Sequence, residues 1–98
     1  MKKYVIVNSD NGFIVEEVDA RICKFCVSAF IYKRDDVFYV VDENTGLSIT
    51  CAKHLKNLEE NFNYKKEKYK NFRKTDVYKI KSERFEKLKV AFNMKGIK

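Results

Sequence analysis

Cys23, Cys26, Cys51 and His54 use every cysteine of this 98-residue chain and its one histidine. They fall as C-x2-C, twenty-four intervening residues, then C-x2-H. A chain that must bring four such groups to one point has little freedom elsewhere. Thiolates and imidazoles at two-residue gaps are how a backbone wraps a tetrahedral Zn²⁺, with Zn–S about 2.3 Å and Zn–N about 2.0–2.1 Å. Each short gap lets both side chains of a pair turn towards one ion. The spacing predicts a structural zinc site with Cys23, Cys26, Cys51 and His54 as its ligands.

Two simpler readings compete with this one. Free cysteines are often small buried hydrophobes, and a single C-x2-C also suits a redox dithiol or a disulfide. The second pair shifts the balance, because three cysteines and one histidine would have to fall into two matched pairs by accident. A Cys23–Cys26 disulfide or redox pair remains the alternative. An odd cysteine count argues against a secreted disulfide framework.

The length predicts one domain, residues 1–98, with a core small enough that a metal staple is a useful supplement. Eight Phe and six Tyr, with no Trp and no Pro, supply bulk for that core. Apolar runs are far too short to span a bilayer, and the opening residues turn acidic at Asp10, too early for a signal peptide. The expectation is a soluble, intracellular protein without a membrane partner, cytoplasmic in its host cell, where cysteines stay reduced.

Charge divides the chain. Residues 1–51 carry six Lys/Arg against eight Asp/Glu, whereas residues 52–98 carry fifteen against six. The second half is therefore +9 of a total of +7. Such a bias suits a polyanion or an acidic protein surface; a solvated lysine-rich helix face is the plainer account.

Hydropathy patterning predicts an α+β fold. Residues 3–7 and 13–18 read as one β-hairpin about a turn at Asn8, Ser9, Asp10, Asn11 and Gly12. The first metal pair follows, then a second hairpin from residues 27–33 and 37–42 about Arg34, Asp35 and Asp36. After Cys51 the period changes to helical. Leu55, Leu58, Phe62, Tyr69 and Phe72 form one stripe, with Thr50 as N-cap and both Cys51 and His54 in the first turn. This helix either breaks near Asn63 or runs to about Lys74. Residues 76–81 alternate and read as a short strand, and a last helix over 83–94 is capped by Ser82 and stopped by Gly96. The segments are an N-terminal hairpin (1–22), a zinc-binding knuckle, hairpin and helix (23–62), and a basic helical region (63–98).

Knuckle pair, hairpin, then a helix carrying the second pair resembles the treble-clef zinc finger over roughly residues 22–62. The resemblance implies that Cys23 and Cys26 are knuckle ligands and that Cys51 and His54 are helix ligands. The insert between the pairs is longer than usual, and β-structure precedes the clef. Treble-clef nucleases need a histidine as base, but here the one histidine is committed to zinc. Three Cys and one His also close the shell against a catalytic water. No phosphate loop and no nucleophile–base pair stand out, so the chain reads as not an enzyme.

Two functions fit. Between Tyr64 and Lys74, the cations Lys65, Lys66, Lys68, Lys70, Arg73 and Lys74 alternate with aromatics. Cations neutralise phosphate and aromatics stack on bases, which suits nucleic-acid binding with weak sequence preference. The other function is binding to a larger protein. Small size, Lys/Asn/Tyr-rich usage and the zinc quartet are similar to the small type II anti-CRISPR proteins of phages and mobile elements that block Cas9. That resemblance implies a Cas9 inhibitor acting on DNA loading or cleavage. A chain this basic departs from the acidic DNA mimics among them, implying docking on a recognition or regulatory lobe instead. The protein-binding reading is preferred, with Lys65, Lys66, Lys68, Lys70, Arg73 and Lys74 as the partner surface. Oligomeric state is left open.

Overall fold

The computed structural model describes residues 1–9 and 12–95. Asp10 and Asn11 of the first turn and the helix stop at Gly96 lie outside the described residues. The order is β1 (Lys2–Ser9), β2 (Gly12–Asp19), β3 (Arg21–Ile22), β4 (Ala29–Arg34), β5 (Val37–Asp42), β6 (Ser48–Ala52), α1 (Leu55–Phe72) and α2 (Asp76–Lys95). This is a small α+β domain. Strands β1 and β2 form an antiparallel pair, and the other four form an antiparallel sheet in the order β3-β4-β5-β6. No helix of the described residues is long and apolar enough to cross a membrane.

Alternation along β4 and β5 gives the sheet two apolar faces. On one face Ala29, Ile31 and Val40 pack with Ala52, Cys23 and the α1 residues Leu58, Phe62 and Tyr69. On the other, Phe30, Tyr32 and Val41 pack against Val5 and Ala20, with Val7, Val18 and Tyr39 alongside. The sheet is thus a middle layer between helix α1 and the β1–β2 hairpin. Burying a side chain such as Leu58 contributes about 1.5–3 kcal/mol. The β4–β5 turn has positive φ at both Asp35 (50°) and Asp36 (64°), the signature of a tight two-residue hairpin, and Asp tolerates this region better than most residues.

Two expected elements differ. Cys51 and Ala52 do not enter the helix but extend the strand expected over 47–50, β6 pairing with β5 with Cys51 opposite Tyr39 and Thr50 opposite Val40. The ladder and the burial of Thr50 and Ala52 outweigh the capping role expected of Thr50. Helix α1 begins at Leu55 with His54 as its extended N-cap residue, which makes no side-chain cap bond. It then runs unbroken through Asn63 to Phe72.

Residues 76–81 are not a strand but the first turns of α2. Thr75 caps it, Thr75 Oγ1 accepting from the Tyr78 backbone N–H at 3.1 Å. Tyr78, Phe85 and Phe92 recur every seven residues, the helical stripe that the local alternation obscured. Tyr78 and Phe85 are buried, and Phe92 meets Tyr4 of β1 edge-on at 5.6 Å. Phe85 seats on Gly46, where φ is +69° and an added Cβ would lie 2.5 Å from the ring. Only glycine satisfies both the backbone and the contact there.

Candidate functional site

The first metal pair occupies a tight turn between β3 and β4. Cys23 is buried under α1, Cys26 is half-buried and Cys51 is exposed, all three as free thiols. The backbone N–H groups of Phe25 and Cys26 donate towards Cys23 Sγ. Burial pushes the Cys23 thiol above its ordinary value. The neighbouring Cys26 and Glu59 push the same way, and the two backbone N–H groups partly offset them. Cys23 and Cys26 thus lie in one tight turn.

The other half of the predicted quartet stands apart from it. Cys51 is paired with Tyr39 across the ladder and lies between the buried Thr50 and Ala52. Ala52 packs with Cys23, so alternation turns Cys51 to the opposite sheet face. His54 is exposed at the start of α1. Among the described residues, no three His, Cys, Asp or Glu side chains converge in a way that holds a metal ion. Cys51 and His54 are therefore not gathered to Cys23 and Cys26.

Five of the six cations of the basic stretch divide between two flanks of α1 and its C-cap. Lys66, Lys70 and Arg73 border the knuckle, with Phe25, Cys26 and Val27 opposite. Lys65 and Lys68 border the outer strand β6, facing Leu47, Ser48 and Ile49. Lys74 follows the helix in the turn leading to α2. The three aromatics of the stretch are not equivalent. Tyr64 is 81% exposed, whereas Tyr69 is buried and Phe72 is half-buried against Tyr78, ring centroids 5.3 Å apart. The alternation of cations and aromatics therefore presents one free ring, not a stacking platform.

Behind these cations lies a polar cluster that hydropathy alone did not single out. Asp42, 1% exposed at the end of β5, accepts from Tyr69 Oη at 2.5 Å. It also accepts from Tyr78 Oη at 3.0 Å on each oxygen, and from the Thr45 hydroxyl and backbone N–H at 2.8 and 3.0 Å. Tyr69 spends its proton on Asp42, so Ser28 Oγ, 2.9 Å away, donates to it. Cys26 Sγ is 3.4 Å from the same Ser28 hydroxyl, and Asn44 Nδ2 donates to Tyr78 at 3.2 Å. The knuckle, the sheet and both helices thus share one hydrogen-bonded chain. Burial, then hydrogen bonding to Asp42, raises the Tyr69 phenol far above its usual value. Burial and the nearby Asp42 raise Tyr78. The sequence signal was faint: an Asp closing the apolar run of β5, with Thr45 three residues on, is an Asx-type turn.

Comparison with protein-family profiles, curated proteins and solved structures found no match to the chain.

Proposed function

We propose that this protein is a non-enzymatic, zinc-binding protein that acts by docking on a larger protein. Its form is that of a small type II anti-CRISPR inhibitor of Cas9 DNA loading or cleavage. The observation that carries the docking reading is the division of labour on α1: its aromatics Tyr69 and Phe72 turn inward while its cations line both flanks. A helix whose surface lysines make no ion pair among the described residues suits an acidic protein face. It suits base stacking less, with Tyr64 the one fully exposed ring of the stretch.

The zinc proposal keeps Cys23, Cys26, Cys51 and His54 as ligands in a treble-clef-like arrangement. The knuckle would hold the ion first. Cys51 and His54 would join only if the end of β6, where Cys51 and Ala52 pair with β5, were rearranged. Metal binding of this kind is coupled to folding.

The test is a Cas9 cleavage assay with zinc-loaded protein, alongside anisotropy of labelled DNA and RNA across a salt series. Inhibition at 1:1 stoichiometry, weakened by Lys65→Ala with Lys66→Ala and Lys68→Ala in a still-folded chain, is the expected result. Tight nucleic-acid binding that collapses with salt, without inhibition, would replace this reading with that of a nucleic-acid-binding finger.

A further inference from the structure

Three of the α1 cations converge where the helix passes the knuckle. Lys66, Lys70 and Arg73 stand at i, i+4 and i+7 and so share one helix face. With Phe25, Val27 and Phe62 they border an open cleft of about 370 Å³. Among the described residues, no ion pair involves Lys66, Lys70 or Arg73. Arg73 instead lies over the Tyr69 ring at 5.8 Å. Val27, at the tip of the turn, is 100% exposed. A lone exposed valine needs no explanation, but this one stands beside three cations that make no ion pair among the described residues.

We propose that this cleft is the docking site for an extended acidic segment of a protein partner. Carboxylates at alternate positions pair with Lys66 and Lys70, and the next one reaches Arg73. An apolar side chain near the end of the segment rests on Val27 and Phe25. The pitches agree: four helical residues rise about 6 Å, and two residues of an extended chain rise about 6.6 Å. Nucleic acid fits less well, because Phe62 and Tyr69 are buried and Phe25 leans on Phe62, ring centroids 5.2 Å apart. The most exposed apolar group on offer is the aliphatic Val27, which suits a side chain better than a base. This assignment rests on the protein-binding reading above and narrows it to one flank of α1, leaving Lys65 and Lys68 outside the contact.

The probe is a fluorescein-labelled peptide alternating glutamate with leucine, read by anisotropy against a glutamine–leucine control and a labelled oligothymidine. The glutamate peptide is expected to bind, more weakly as salt rises, and the control is not. Lys66→Glu with Lys70→Glu should weaken it about tenfold or more, since each exposed charge pair contributes up to about 1 kcal/mol. Val27→Ser should weaken it while leaving the salt dependence unchanged. Lys65→Glu with Lys68→Glu makes the same charge change on the other flank and should leave binding largely intact. Equal losses in the two double variants, or no peptide binding by the wild type, overturn the proposal. Intact Cas9 inhibition by the Lys66/Lys70 variant would overturn the cleft assignment alone. Oligothymidine binding that this variant abolishes, without peptide binding, would overturn both the cleft and the protein-binding reading.

Discussion

Tyr69 of α1 donates to Asp42 of β5 across 2.5 Å, and the same carboxylate takes a bond from Tyr78 of α2. One buried acid thereby ties both helices to the end of one strand. Removing a single partner strands the others, and each unsatisfied buried polar group costs about 1–3 kcal/mol. Asp42→Ala leaves two phenols without an acceptor and should lower unfolding free energy by about 3 kcal/mol or more; Tyr69→Phe should lower it by about 1–3 kcal/mol. Urea unfolding measures both, with Tyr64→Phe, exposed, as a control within about 0.5 kcal/mol.

Buried tyrosines, two of them in this cluster, set an alkaline limit. Tyr32, Tyr69 and Tyr78 all ionise less readily in the fold than at their ordinary value of 10.0, burial being the first cause in each. Above about pH 10 the unfolded chain loses these protons while the native chain keeps them. Stability therefore holds below that pH and declines above it, by up to about 1.4 kcal/mol per pH unit per group. Unfolding free energy followed from pH 8 to 11 should fall less steeply in Tyr69→Phe with Tyr78→Phe.

Gly46 should not tolerate a side chain. Gly46→Ala must hold φ near +69° and displace the Phe85 ring from 2.5 Å. A cost of about 2–4 kcal/mol is expected, read as a lowered Tm. Gly12, also at positive φ but with open space around its Cβ position, should cost less on the same substitution.

Zinc binding is decided by metal content in purified protein. Wild type is expected to carry one zinc per chain by mass spectrometry, and Cys26→Ser or Cys51→Ser to lose it with a sharp fall in Tm. Retention of zinc by Cys51→Ser would restrict the site to the knuckle and break the quartet. Full metal and an unchanged Tm in Cys26→Ser would remove the site altogether.

Much of the architecture was legible in the chain because it is written in short-range pattern. The runs at 3–7, 13–18 and 37–42 became β1, β2 and β5, and Asp35-Asp36 became the tight turn between β4 and β5. The stripe Leu58, Phe62, Tyr69 became the buried face of α1. Where local pattern failed, a distant partner had decided. Residues 76–81 alternate like a strand, but among the described residues no strand pairs with them, and Tyr78 and Phe85 are drawn to Asp42 and Gly46.

By itself the sequence determined the class of fold, the tight turn at Cys23 and Cys26, and the concentration of positive charge after residue 52, since all three are properties of neighbours along the chain. Tertiary structure decided which way the remaining groups face. Pairing Cys51 with Tyr39 sends its thiol to the sheet face opposite Cys23, and the pitch of α1 divides its lysines between two flanks. It also decided that Asp42 is buried, because only packing brings Tyr69 and Tyr78, 27 and 36 residues away, within reach of one carboxylate. Spacing along a chain limits which groups can meet; the direction in which a strand or helix presents them is fixed by what it packs against.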